Sequence, residues 1–405
     1  MIYLRNHLSP SSLKLLDKAQ AIAREVIAPK AVEWDRDARF PYEMFQAMHS
    51  EKLDALTIPK ALGGLEIGPD GGEPLALWLI TKTLATADSS ASQCQQLHNN
   101  TALAIKLLGT PEQQERYLRP VVEQGAILGA WGAEGHSKTS TVAQRVSGGY
   151  QITGTKMFAT NAGAARYAAV VAFPEGSRDP NADMMFCMVD CQAPGVTVKP
   201  QWWESATGMR ATWSHEVRLD RVFVADEAIL GPPGGYLGLQ IQARVLPQFS
   251  ANFQGVGAHV FEFGLDYLRT RERTGDAFIQ HHIAEAQTLL VSAEMMLGRT
   301  AELYAARDYP EAFHYSRMVR AYSEMSINRV VQLVQNCCGS SVYLEPSPLA
   351  RILRDWHFYS RHENLDLILS QIGKTIFQLG GETSFEAFGF RDNFRSGAGA
   401  EQSAK

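Results

Sequence analysis

The spacing of apolar residues changes twice along the chain, and any fold has to accommodate both changes. Residues 12–120 carry helical spacing: Leu15, Ala19, Ile22 and Val26 share one helix face, with Pro29 near the end of that run. Residues 75–87 and 91–108 predict two more helices, and glycine-rich breaks at 63–64 and 68–72 separate the helical runs. Thr110-Pro111-Glu112 reads as a helix start, with threonine as N-cap, proline at the first helical position and a carboxylate in the first turn. From about 126 to 232 the pattern shortens to strand candidates at 150–153, 167–173, 184–189, 196–199 and 216–219, with Gly148-Gly149 as a turn and Gly154 as another. After the break at 231–235 the helical period returns over 240–268, 281–306, 310–338 and 360–379. The expectation is an α+β chain. It has an N-terminal helical domain (1–125), a middle antiparallel β domain built as a sandwich or barrel (126–234), a C-terminal four-helix bundle (235–381) and a Gly- and Ser-rich tail (382–405).

Composition narrows the function classes. The chain has 405 residues, 45% of them hydrophobic, enough for a core larger than that of one ordinary domain. A net charge of -5 argues against nucleic acid as a partner. No apolar run reaches bilayer length, and the first residues carry no signal-like apolar stretch. Five irregularly spaced cysteines suit a reducing cytoplasm better than a disulfide framework. Cys187 and Cys191 have no second pair at zinc spacing, so no metal site is expected, and Cys337-Cys338 reads as helix packing. His281 and His282, adjacent on a helix and pointing about 100° apart, read as surface.

Three segments could carry chemistry. Residues 348–373, PLARILRDWHFYSRHENLDLILSQIG, run a basic aromatic helix into His362-Glu363 and then into another apolar helix, where a buried pocket is plausible. Residues 129–137, GAWGAEGHS, open the β region with glycines that let a backbone approach a ligand. Phe158-Ala159-Thr160-Asn161 ends a strand with an aromatic and a hydroxyl in order. On residue type alone, an ordinary Gly-rich turn and a sandwich strand are the plainer readings of the last two segments, and a surface pair at a helix start is the alternative for the first. His98, within Leu97-His98-Asn99-Asn100, reads either as a pocket histidine or as part of a satisfied polar cluster.

Five phrases in order resemble the acyl-CoA dehydrogenase superfamily of flavoproteins over nearly the whole chain. They are IPKALGGL (58–65), GTPEQQERYL (109–118), GYQITGTKMFATNA (149–162), GMRATWS (208–214) and LDRVFVA (219–225). The resemblance implies that family's fold and a bound flavin. An isoalloxazine needs a flat slot with backbone donors along its edge. By the resemblance, Trp131 and Ala133 would meet the pyrimidine edge, Ser137 would reach phosphate, and Phe158, Thr160 and Asn161 would lie along the flavin. Arg271 and Arg273 would hold the cofactor of a neighbouring subunit in a homotetramer.

Glu363 falls where the dehydrogenases carry their α-proton base, so an FAD-dependent acyl-CoA dehydrogenase is one implied activity. Departures from that pattern point to another branch. Asn364-Leu365 replaces the Gly-Thr that follows the base, and the flavin loop at 133–137 lacks its proline. Thr274 stands in place of a phenylalanine, and the glycine-rich turn near Gly339 is degraded. Arg354-Asp355 followed by His362-Glu363, and Glu134 three residues before Ser137, resemble the reduced-flavin-dependent monooxygenases, dibenzothiophene monooxygenase among them. In that branch a separate NAD(P)H-flavin reductase supplies reduced FMN or FAD, O2 is the co-substrate, and a small aromatic, thioether or amine is hydroxylated through a flavin C4a-(hydro)peroxide. His362, with His98 as a second candidate, would then hydrogen-bond the oxygen adduct, and the Glu363 carboxylate would set the tautomer of His362 or raise its pKa. Trp131, Trp213, Phe358 and Tyr359 are candidate lining residues, although large aromatics more often belong to the core. A flavoprotein-like scaffold without activity is a third possibility.

Overall fold

The computed structural model describes residues 2–134, 140–177, 179–344 and 347–377. The N-terminal region is helical. Helices α1 (Pro10–Ile22) and α2 (Ala28–Arg36) are joined by a π-helical stretch, and α3 (Tyr42–Ser50), α4 (Pro74–Ala87), α5 (Ser89–Leu108) and α6 (Pro111–Gln124) follow. The start of α6 has the expected chemistry: Thr110 caps Gln113 N–H, and the Gln113 side chain returns a bond to Thr110 N–H. Helix α5 is the unexpected element. Its sequence, SSASQCQQLHNNT…, is polar, yet Ser89–Gln96 and His98–Ile105 are buried.

The middle region is a curled seven-stranded sheet: β1 (Leu128–Trp131), β2 (Val142–Val146), β3 (Gly149–Ala159), β4 (Tyr167–Pro174), β5 (Met185–Asp190), β6 (Val196–Lys199) and β7 (His215–Ala225). The order is β1-β4-β2-β3-β7-β6, with β5 on the other edge of β4. The sheet is not purely antiparallel. Both β1 and β2 run parallel to β4, pairing Leu128 with Tyr167 and Val142 with Phe173. The β2–β3 hairpin lies between β1 and β4 in the chain, and that long excursion supplies the crossover a parallel pair needs. Gly154 is not a turn: β3 continues through it, and a Cβ there would meet Thr141 Oγ1 at 2.5 Å.

Two register shifts break the β3–β7 ladder. At the second, the step from Lys156 to Ala159 faces the shorter step from Val217 to His215, so β3 carries one extra residue. Such a bulge re-aims a side chain. Here it is Phe158, at φ 51°.

Three short helices, α7 (Pro180–Asp183), α8 (Pro200–Glu204) and α9 (Gly235–Gly238), precede the C-terminal helices. Helices α10 (Ile241–Thr270), α11 (Ala277–Ala305) and α12 (Tyr309–Cys338) match the three long helices of the sequence reading. The fourth is shorter than expected. Helix α13 (Leu349–Tyr359) ends before His362, and α14 (Leu365–Ile376) begins after it, capped by the Asn364 side chain on Leu367 N–H. The tail at 382–405 lies outside the described residues.

The N-terminal segment is strapped to the bundle. Glu294 on α11 accepts Tyr3 N–H and Leu4 N–H, both at 2.6 Å, and pairs with the buried ammonium of Lys82 on α4. No helix among the described residues is long and apolar enough to cross a membrane.

Candidate active site

A cleft of about 1620 Å³ lies where α5, the β1, β3 and β7 ends, and α10, α12 and α13 meet. One small ligand usually occupies roughly 300–1,000 Å³. There is therefore room for a planar cofactor beside a substrate.

The sheet side of the cleft carries hydrogen-bonding groups in fixed places. Trp131 is buried and its indole N–H donates to Thr160 C=O at 3.2 Å. A Cβ at Gly129 would meet that indole nitrogen at 2.9 Å, so residue 129 must be glycine for the ring to sit there. Thr160 Oγ1 is 2.8 Å from Ser214 Oγ, and Ser214 Oγ is 2.7 Å from Thr212 Oγ1. All three hydroxyls line the cleft, and each can act as donor or acceptor. Ala133 also lines it, and its carbonyl accepts Met157 N–H at 3.0 Å. Glu134 pins this loop to β3: it accepts Thr141 N–H at 3.1 Å and sits 2.7 Å from the Lys156 ammonium. Phe158 stands half exposed in the cleft, edge-on to Trp202 at 5.1 Å and to Phe358 at 6.3 Å.

Several expected residues are placed elsewhere. His98 does not enter the cleft. Its Nδ1 accepts Leu128 N–H at 3.0 Å and its Nε2 donates to Asp54 C=O at 2.9 Å. Burial pushes its pKa down. The ring is a neutral strut between α5 and β1. Leu97, Asn100 and Thr101 face the cleft instead, because successive helical residues diverge by about 100°. Asn161 also points away, and its Nδ2 donates to Cys94 C=O and Leu128 C=O, both at 3.0 Å. Arg271 and Arg273 are exposed in the α10–α11 turn. The first lies over the Tyr267 ring at 4.6 Å and the second donates to Cys337 C=O at 3.1 Å. Neither lines this chain's cleft. Ser137 lies outside the described residues.

Of the expected lining aromatics, Trp131 and Phe358 do line the cleft, and Tyr359 joins them. Trp213 faces a second, separate pocket of about 880 Å³ between α3 and the sheet. Its indole N–H donates to Ala38 C=O at 2.7 Å.

His362 and Glu363 both line the cleft, but they do not act on each other. The imidazole stacks on Phe249 with centroids 4.8 Å apart and lies edge-on to Tyr359 at 6.1 Å. His362 is exposed as a residue and lines the cleft. The protein packed around it, reinforced by the nearby Arg320 charge, pushes its pKa down to about 4. The expected rise does not occur, because the carboxylate of Glu363 turns toward Arg320 on α12. Arg320 Nε is 3.5 Å from Glu363 Oε2, and Arg320 Nη1 donates to Glu324 at 2.8 Å. Burial raises the Glu363 pKa, opposed by Arg320 and by a hydrogen bond from Gln242, with Glu324 adding to the rise.

The Arg354-Asp355 pair proves to be an anchor for α13. Arg354 is 2.6 Å from Asp35, and Asp355 accepts Met209 N–H at 2.6 Å. A Cβ at Gly208 would meet Arg354 C=O at 2.4 Å, so the 208–210 turn and α13 touch backbone to backbone.

Reading the sequence alone missed Gln93, Asn100, Thr101, Gln242, Arg320 and Glu324. The available signal was a run of polar residues inside a helix flanked by apolar elements. Asn100 Nδ2 is buried with no hydrogen-bond partner, and such a donor costs about 1–3 kcal/mol unless a ligand accepts it. The orphan donor, the hydroxyl chain and the aromatic bulge fit a flat, acceptor-rich ring system.

A second cluster, His281, His282 and Glu285, has ligand atoms within 4.8 Å of one another; His281 is exposed, as expected of a surface residue, and the other two are half-buried. Arg329 engages both oxygens of Glu285, at 2.7 and 3.1 Å, and holds the charge a metal cation would need.

Comparison with known proteins supplies the lineage. Models of the acyl-CoA dehydrogenase N-terminal, middle and C-terminal domains match residues 9–125, 130–222 and 251–367. The probable acyl-CoA dehydrogenase FadE25 of Mycobacterium tuberculosis is 25% identical over 349 residues, covering 83% of this chain and 87% of that relative. The complex of TdsC from Paenibacillus sp. A11-2 with FMN and indole has a TM-score of 0.81 at 20% identity, over 91% of this chain and 98% of that one. TdsC is described as a dibenzothiophene monooxygenase. Butyryl-CoA dehydrogenase from Megasphaera elsdenii also has a TM-score of 0.81 at 20% identity, over 91% of this chain and 99% of that one. The two likenesses are equal, so they establish the fold and leave the chemistry to the residues.

Proposed function

Because the chain belongs to the acyl-CoA dehydrogenase family, a family of flavin-dependent oxidoreductases, we propose that it is a monooxygenase supplied with reduced FMN or FAD by a separate reductase. Its substrate is a small aromatic, thioether or amine, and O2 is its co-substrate. The observation that carries this reading is His362, a neutral imidazole stacked on Phe249 and facing the cleft while its neighbouring carboxylate is drawn back to Arg320. A neutral imidazole keeps one N–H to donate, in a cleft where hydrogen bonds are strengthened by the exclusion of water.

The flavin, when bound, supplies two electrons to oxygen. The remaining work belongs to the chain. Trp131, Ala133 and the Thr160–Ser214–Thr212 hydroxyls hold the edge of a flat ring, and Asn100 offers it a donor. Phe158 shields the ring, and His362 holds a proton toward the reacting oxygen. Ser137 stays a candidate for the phosphate. Arg271 and Arg273, exposed and outside this chain's own cleft, are proposed to serve a neighbouring subunit's cofactor in a homotetramer. Phe278 on α11, Met325 on α12, Ile376 at the end of α14 and Phe377 just past it are exposed apolar side chains that such an assembly would cover. Light scattering that gives a monomer would refute it.

A second reading has its own observation. Glu363 lines the cleft with its pKa raised by burial, as a base for an acyl-CoA α-proton would be. The purified protein separates the two. An oxygenase of this kind emerges nearly colourless, binds reduced FMN more tightly than oxidised FMN, and consumes O2 only with reduced flavin and substrate. A yellow protein with retained FAD that an acyl-CoA bleaches would reject the oxygenase reading.

A further inference from the structure

Two carboxylates and one guanidinium meet at the α12 side of the cleft. Glu324 is 2% exposed, and the Glu363 side chain is 9% exposed. Both line the cleft, while Arg320, 0% exposed, sits behind them and does not. Glu363 Oε2 makes no hydrogen bond, and Arg320 Nε, 3.5 Å away, is not hydrogen-bonded either. Arg320 is shared: it hydrogen-bonds Glu324 and lies over the Phe253 ring at 4.3 Å.

Among the described residues, the other carboxylates and guanidinium groups lining the cleft are balanced. Arg354 is paired with Asp35 and Glu134 with Lys156. Arg361 and Asp366 are both exposed at the rim and carry opposite charges. His362 is neutral. Among the described residues, one negative charge is therefore left over in a site walled by Phe249, Tyr236 and Tyr359. A buried carboxylate is stable only when it is protonated or met by a cation.

We infer that the substrate of this cleft carries a basic nitrogen, bound as an ammonium by Glu363 with Glu324 behind it, in the part of the cleft that Phe249, Tyr236 and Tyr359 also line. This deepens the monooxygenase reading by selecting amines from its substrate classes. It assigns Glu363 to recognition, the role left open once His362 holds the proton. A guanidinium facing the cleft would have selected an anion instead. Here the guanidinium is walled off by its own two carboxylates.

The test needs no turnover, so its outcome is independent of whether the protein oxygenates anything. Benzylamine, benzyl alcohol and benzoate share a ring and differ in charge. Their binding to the flavin-loaded full chain is measured by titration calorimetry near neutral pH. Benzylamine should bind about tenfold or more tighter than benzyl alcohol, as a desolvated charge-assisted bond implies, and benzoate should bind weakest. Glu363→Gln should bring amine and alcohol to near parity, and Glu363→Asp should keep the preference in reduced form. A folded Glu363→Gln protein that still prefers the amine would overturn the assignment. So would wild-type protein that prefers alcohol or benzoate, or that binds no benzylamine. The wild-type comparison alone decides the matter if the glutamine variant does not fold.

Discussion

His362 and Glu363 are neighbours in the chain and belong to different partners in space. His362 lies in a turn between two helices, and its ring goes to Phe249. Glu363 goes to Arg320, 43 positions earlier on another helix. The pair was legible in the sequence as a candidate site, because it stands between an aromatic helix and an apolar one. Its coupling was not legible, because adjacency along a turn says nothing about side-chain direction. His362→Ala should leave flavin binding intact. It should lower product formation by about 10²–10³-fold, the usual scale for one lost hydrogen-bond donor at a reacting oxygen, while O2 is still consumed and hydrogen peroxide is released. Product formed at the wild-type rate would remove His362 from the chemistry. With its pKa pushed to about 4, protonation of His362 should shape the rate near pH 4, and a limb near pH 6.5 should belong to another group.

Helix α5 and the β3 bulge set the shape of the site. A polar helix ordinarily lies at a surface. This one is buried, and its polar side chains divide between internal bonds, such as those of His98, and the cleft, as with Asn100 and Thr101. The helix itself was legible in the sequence. Which face it presents was not, because its period shows only a weak apolar stripe. Asn100→Leu should raise or preserve thermal stability by removing an orphan donor, worth about 1–3 kcal/mol, and should weaken flavin affinity severalfold. A parallel loss of stability and binding would mean that Asn100 is structural. The bulge was hidden for a related reason. Phe158 reads as a strand residue, and only the pairing of β3 with β7 reveals the extra residue that turns it outward.

At the scale of the molecule, buried charge and buried histidines make stability sensitive to single residues and to pH. Glu294 joins the N-terminal strap, α4 and α11 through Tyr3, Leu4 and Lys82. Glu294→Ala leaves Lys82 buried and unpaired, and should cost about 3–5 kcal/mol in urea unfolding. A loss under 1 kcal/mol would show that the strap is dispensable. His215 and His259 have pKa values lowered to about 4, by burial alone for His215 and by burial with the Arg351 charge for His259. The unfolded chain protonates such groups near roughly 6.5, so it takes up protons that the folded state refuses. Stability should therefore fall as pH drops from about 6.5 toward 4, and His215→Gln should flatten that slope in melting temperature against pH. An unchanged slope would clear His215 of the effect. The order helical, β, helical, the flavin-family phrases and the candidate pair at 362–363 were all determined by the sequence, because periodicity, caps and turn residues act over a few positions. Tertiary structure alone decided that His98 and Asn161 turn away from the cleft, that β1 and β2 run parallel to β4, and that Arg320 withdraws Glu363 from His362. Each of these depends on groups 30 or more residues apart meeting in a dry interior, where an unpaired charge or donor is costly, and no local pattern records that meeting.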